Sequence, residues 1–179
     1  MPVSDIRNIV PIMNEVARLD PEGIIDLGIG FGKYGVLCRE YLEAVHGRCR
    51  IDQWERRIVG IEGHRAYENP AWGAYNEVID GDIRSLWQQV KGWPLVLMID
   101  SLEHFDELEA RTILEYLVRN NKRVIVSVPL GVCPQGAEFG NEFETHRSVW
   151  SGRKDFEKYS FVVLREDERG LVISIKGDA

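Results

Sequence analysis

Ile24-Ile25-Asp26-Leu27-Gly28-Ile29-Gly30-Phe31-Gly32-Lys33-Tyr34-Gly35 runs from a short apolar segment through an acid into four glycines. The apolar start reads as a buried strand. The glycines then turn the chain tightly into a helix. Without side chains, they let the backbone approach a ligand more closely than any other residue allows. The chain therefore carries a strand, a turn and a helix arranged around a ligand.

Two templates overlap in this stretch. Gly30 to Gly35 satisfies G-x-G-x-x-G, the pattern of dinucleotide-binding turns. Asp26 to Gly32 satisfies D-x-G-x-G-x-G. A carboxylate two residues before the first glycine repels a pyrophosphate in a half-buried pocket. It suits a ligand that carries an ammonium and a sulfonium. An NAD-type oxidoreductase is thus the disfavoured reading.

Three further apolar runs end at or just before an acid. Arg57 to Glu62 ends in Glu62, Tyr75 to Ile83 turns at Asp82, and Pro94 to Asp100 ends in Asp100. In open α/β sheets, ligands bind at the carboxyl ends of the strands. An acid past the second strand can accept both ribose hydroxyls, and one past the third can accept from an adenine amino group. Such charge-assisted bonds contribute about 1.5–3 kcal/mol each, so losing Glu62 should weaken binding about ten- to a hundredfold.

The segments D-L-G-I-G-F-G-K-Y-G, V-G-I-E-G, I-D-G-D-I, L-V-L-M-I-D-S-L-E-H-F and V-I-V-S-V-P-L-G follow in this order within residues 24–157. On these motifs the chain resembles the class I S-adenosylmethionine-dependent methyltransferases of the D-x-G-x-G-x-G and L-E-H type. Together with G-N-E-F-E-T-H-R-S-V-W it is similar to one prokaryotic subgroup of methyltransferase-domain proteins. The resemblance implies an α/β, Rossmann-like methyltransferase fold. Its seven-stranded mixed sheet has order 3-2-1-4-5-7-6, with helices on both faces. It implies S-adenosylmethionine as cofactor, held by Asp26, Gly28, Gly30, Gly32, Glu62, Asp82, Ile83, Asp100 and Ser101. The one departure is the long gap between Gly35 and Glu62, where polar residues 46–57 read as an extended loop.

The implied reaction is methyl transfer to a small or medium-sized polar acceptor, small-molecule or glycan-like, on oxygen rather than nitrogen. Two other readings stay open: a non-catalytic cofactor-binding module for regulation or assembly, and a protein methyltransferase. The acidic surface suits a basic protein target.

Composition narrows the partners. The 179 residues are 44% hydrophobic and 28% charged, the balance of one soluble globular domain. A net charge of −7 disfavours nucleic acid, whose binders need a basic surface to displace counterions. After the fourth strand the chain reads Asp100-Ser101-Leu102-Glu103, not the N-P-P-Y of amino-methylating DNA enzymes. Cys38, Cys49 and Cys133 form no C-x-x-C pair and read as free thiols. The N-terminus has no signal-peptide pattern and no run is long enough for a membrane span, so the expectation is a cytoplasmic protein. A homodimer is compatible with so small a domain.

The rest of the chain fits one domain over residues 1–179. Ser4 reads as the N-cap of an accessory helix within residues 1–20, with Ile6, Ile9, Val10, Met13, Val16 and Leu19 on one face. A helix from about Lys33 to Val45 should turn Val36, Leu37, Tyr41 and Leu42 inward. A helix over residues 107–120 should bury Leu108, Ile113, Leu114 and Leu117. A fifth strand follows over residues 123–128, then a Gly- and Pro-rich loop at the ligand edge. Residues 159–176 read as a C-terminal antiparallel hairpin.

Candidates for chemistry lie past strands four and five. Among Asp100-Ser101-Leu102-Glu103-His104, His104 is a candidate base and Glu103 its companion. In residues 141–151, Glu144 and His146 alternate and fall on one side of an extended chain. His146 is the second candidate base, Glu144 a substrate contact, and Trp150 a wall for an apolar or sugar-like acceptor. Tyr67 and Trp72 could cover the adenine or pack against the sheet. No metal is expected, because no second histidine or carboxylate is well spaced beside D-x-x-E-H, and only the fold could bring His146 to it.

Overall fold

The computed structural model describes residues 3–179. Met1 and Pro2 of the N-terminal segment lie outside the described residues. Seven strands form one mixed sheet: β1 Gly23–Leu27, β2 Arg57–Glu62, β3 Glu77–Asp80, β4 Leu95–Ile99, β5 Arg123–Pro129, β6 Phe161–Asp167 and β7 Gly170–Lys176. Their order is β3-β2-β1-β4-β5-β7-β6, as the motifs imply. Strands β1 to β5 pair in parallel, and β7 lies antiparallel between β5 and β6. Strand order reverses at β1 and β4, which opens a crevice at their C-terminal ends.

Every residue of β1 and β4 is buried, because apolar layers cover both faces of the sheet. One layer gathers around α4 (Glu107–Asn120), with Ile113 and Leu117 at its centre. The other gathers around α1 (Ile9–Leu19) and α2 (Lys33–Leu42), with Ile12, Val16 and Leu42. Glu15 of α1 is buried as well. It accepts a hydrogen bond from Ser174 Oγ of β7 at 2.7 Å, which fixes α1 against the sheet.

Four local expectations need correction. The N-terminal helix starts with a 3₁₀ turn, Ile6–Asn8, capped by Asp5 rather than Ser4. Ile6 and Val10 face solvent, while Ile12 takes the buried side. In α2, Val36 and Tyr41 are exposed, and Tyr34, Cys38 and Leu42 are buried. Gly35 explains this rotation: a Cβ there would stand 2.4 Å from the Tyr75 ring, so the helix presents its bare side to that ring. In α4 the bounds match, but Leu108 in the first turn is exposed.

The third strand is shorter than its apolar run, because Asp82 leaves the sheet to cap a short helix, α3 (Ile83–Leu86). Its side chain accepts from Arg84 N at 2.8 Å. The polar stretch after α2 is anchored rather than free. Fully buried Glu43 accepts the Glu55 and Arg56 amides at 2.9 and 2.6 Å. Among the described residues, no helix is long and apolar enough to cross a membrane. The three cysteines are free thiols.

Candidate active site

The glycine turn sets the site's geometry. Gly28, Gly30 and Gly32 have φ of 78°, 52° and 84°, in the left-handed region that disfavours side chains. A Cβ on Gly28 would also meet Ser101 Oγ at 2.7 Å. The turn is held from two sides: Gly30 N donates to Glu62 Oε2 at 2.8 Å, and Trp72 Nε1 donates to Gly30 O at 2.8 Å. Trp72 therefore braces the turn within the core and does not line the cavity.

A cavity of about 330 Å³ opens beside this turn. All the residues assigned to the cofactor line it except Gly32, which stands against the Trp72 ring. Asp26 is buried at the end of β1 and accepts from Tyr75 Oη at 2.7 Å. Burial pushes its carboxyl up to about 7, and the Glu62 charge adds to the rise while Tyr75 opposes it.

Glu62 is also buried, and burial raises its carboxyl. Its two oxygens accept from Gly30 N and His64 N at 2.8 and 2.9 Å. One lone-pair direction on each oxygen is left for a ligand. Ser101 Oγ lies 3.1 Å from both the Leu27 and Ile99 carbonyls and joins the ends of β1 and β4.

Asp100 adopts a positive φ of 47°. Ser127 Oγ donates to its Oδ1 and Asp5 N to its Oδ2, the latter at 3.0 Å. Backbone strain of this kind persists only where the surroundings over-determine it. Asp5 brings the N-terminal segment onto the site. Ser4 lines the cavity, and Lys33 Nζ donates to Ser4 O and Oγ, both at 2.9 Å. No motif of the sequence gives Lys33 a role. Its place just beyond the glycine turn was the available signal.

His104 and Glu144 line the other part of the cavity, with Asn141 and Phe143. Glu144 is buried and accepts from Tyr67 Oη at 3.1 Å, so Tyr67 braces the cavity rather than covering a ligand. Asn141 and Phe143 belong to the polar segment singled out in sequence, but neither was assigned a role.

His104 Nδ1 lies 3.3 Å from the Thr145 carbonyl. A carbonyl only accepts, so Nδ1 carries the proton and Nε2 keeps its lone pair. Burial, reinforced by the His146 ring beside it, holds the His104 imidazole down to about 4. His146 packs against His104 with ring centres 5.0 Å apart, and neither it nor Glu103 lines the cavity.

Trp150 is not an acceptor wall. Only 1% exposed, it stacks on Phe156 in the core cluster around α4. Bridges from Leu130 and Gly131 to Trp150 draw this end of the segment back onto the sheet, where the indole is buried even though its N–H finds no partner among the described residues.

No family model matches the chain, and no curated protein does. Solved structures match along nearly its whole length. PH0226 from Pyrococcus horikoshii OT3 is 18% identical, with 97% of this chain and 89% of that one covered and a TM-score of 0.65. The N-terminal domain of EvdMO1, solved with S-adenosylhomocysteine bound, is 16% identical, with coverage of 98% and 82% and a TM-score of 0.67. Magnesium protoporphyrin IX methyltransferase from Synechocystis PCC 6803, solved with S-adenosylmethionine, is 12% identical, with coverage of 96% and 77% and a TM-score of 0.61. The chain has the Rossmann-like methyltransferase fold.

Proposed function

We propose that the cavity binds S-adenosylmethionine and that the chain transfers its methyl group to oxygen on a small or medium-sized polar acceptor, small-molecule or glycan-like. One observation carries this reading. Asp26, Glu62, Asp82 and Asp100, each at or just past the end of a parallel strand, meet the glycine turn around one cavity. The residues fit such a ligand. The turn has no room for a side chain at Gly28. The buried Asp26 and half-buried Asp100 carboxyls suit an ammonium, and the cavity volume falls in the usual range for small-molecule sites.

The cofactor would supply an electrophilic methyl on a sulfonium, and the protein's task is to position the partners. Glu62 offers its remaining lone pairs to ribose hydroxyls, and Asp82 offers a carboxylate to the adenine side. Glu144, Asn141 and Phe143 bound the acceptor. His104, neutral at pH 7, presents Nε2 to accept a hydrogen bond from the acceptor hydroxyl and orient its oxygen. Three free thiols support a cytoplasmic setting.

Calorimetric titration with S-adenosylmethionine, S-adenosylhomocysteine and NAD tests the reading. Micromolar binding of both sulfur ligands is expected, with none for NAD. Glu62→Ala should weaken it about ten- to a hundredfold. Well-folded protein that binds neither sulfur ligand would sink the proposal.

A further inference from the structure

We propose that Glu103, His104 and His146 form a binding site for one divalent transition-metal ion beside the cavity. The fold supplies what the spacing in sequence lacks, because the loop after β5 carries His146 back onto His104. One ligand atom from each of the three residues lies within 4.8 Å of the others. An ion about 2.1 Å from each would hold them about 3–3.5 Å apart, so the three must close by about an ångström. His146 is tied to the Gln135 carbonyl by its amide, so the Glu103 side chain, whose Oε2 has no partner among the described residues, is the group to turn and supply that movement.

Two further observations point to a ligand. Glu103 is 2% exposed, and its Oε2 has no hydrogen-bond partner among the described residues. A buried carboxylate without a counter-charge is costly, and a cation would satisfy it. Both imidazoles are also set for coordination. His104 Nδ1 faces the Thr145 carbonyl at 3.3 Å, and His146 Nδ1 faces the Cys133 carbonyl at 2.6 Å. Donation to a backbone carbonyl fixes the tautomer of a metal-binding histidine and leaves Nε2 free to bind. Two imidazoles and one carboxylate suit zinc, manganese or cobalt, with positions left for water or an acceptor. Through His104 the ion would adjoin the cavity, and once Nε2 ligates it the ion, as a Lewis acid, would take the place of the direct hydrogen bond from the acceptor oxygen to His104. That role rests on the methyl-transfer reading, whereas the site itself does not.

The test is titration of the full chain with Co²⁺, read by visible absorption, with S-adenosylhomocysteine calorimetry in parallel. One Co²⁺ per chain is expected, with a spectrum of nitrogen and oxygen ligands. His146→Ala and Glu103→Gln should each weaken Co²⁺ binding by more than about tenfold, since even outer-shell changes cost about 10–100-fold. His46→Ala should leave it unchanged. Glu103→Gln keeps the side chain's shape and guards against loss of fold, checked by circular dichroism. The proposal is overturned if folded wild type binds no stoichiometric Co²⁺, or if both variants bind as wild type does. A thiolate charge-transfer band, placing the ion on Cys49 or Cys133, would overturn it too. Co²⁺ binding without S-adenosylhomocysteine binding supports the metal site and counts against the methyl-transfer reading alone.

Discussion

A Cβ on Gly28 would stand 2.7 Å from Ser101 Oγ, on a backbone whose φ is 78°. Gly28→Ala thus combines a clash with left-handed strain, and strain of this kind costs about 1–3 kcal/mol. Urea unfolding should show a loss of that size, and calorimetry should show loss of ligand binding. Gly73→Ala meets nothing within 4 Å and should stay within about 0.5 kcal/mol of wild type. A second prediction concerns Asp26, whose carboxyl titrates near 7 when folded and near 4 when unfolded. Between these values the folded state holds the extra proton, so Asp26 lowers stability as pH rises from about 4 to about 7, and the loss stays constant above that. The gap corresponds to roughly 4 kcal/mol. Asp26→Asn cannot ionise and should flatten that part of the stability profile in urea midpoints taken across the range. Parallel wild-type and variant profiles would refute the assignment.

Arg39 shows how α2 is tied to its surroundings. It is 6% exposed and donates to the carbonyls of Ala74 and Arg56 at 2.7 Å and to Asn76 Oδ1 at 2.6 Å. Its ion pair with Glu43 is the weaker contact, at 3.4 Å, and Glu43 keeps Arg48 as a second partner. Arg39→Met would keep the packing and strand the Ala74 and Arg56 carbonyls, while Asn76 Oδ1 keeps the Ile58 amide at 2.7 Å. The unfolding free energy should therefore fall by about 2–3 kcal/mol, read as a lower urea midpoint with an unchanged slope. A loss under about 1 kcal/mol would mean that water replaces the guanidinium. The Arg39 network was not legible in sequence, because its acceptors lie in distant loops. The strands were legible, since each is an apolar run closed by an acid or a turn. The faces of the helices were less so. Periodicity placed Val36, Tyr41 and Leu108 on apolar stripes, but contacts such as Gly35 against Tyr75 decide which side turns inward. The same division holds in the site. Strand-end acids and glycines could be read locally, whereas the His104–His146 pair and the burial of Trp150 depend on where one loop returns to the sheet.

At the scale of the whole molecule, the N-terminal segment connects the two ends of the chain across the cavity. Asp5 N and Asn8 Nδ2 reach Asp100 at the end of β4, and Arg165 of β6 donates to Asn8 Oδ1. Arg7 pairs with Asp167 near the β6–β7 turn at 3.0 Å. The segment is thus fixed to the sheet edge on one side, while Lys33 at the start of α2 holds Ser4 on the other. If this segment closes over a bound ligand, releasing Ser4 should act on departure more than on arrival, because opening precedes escape. Lys33→Met removes both bonds to Ser4 and keeps most of the side chain's apolar length. It leaves the Asp5, Asn8 and Glu15 attachments in place, so the melting temperature should change little. Stopped-flow displacement of S-adenosylhomocysteine should then show dissociation faster by about five- to tenfold, the effect of losing about 1–1.4 kcal/mol of closure energy. Association should change by less than about twofold. An unchanged dissociation rate with ligand bound would mean that Ser4 and Lys33 shape the free protein without closing the site. A fall in association alone would point instead to Lys33 steering the ligand by charge.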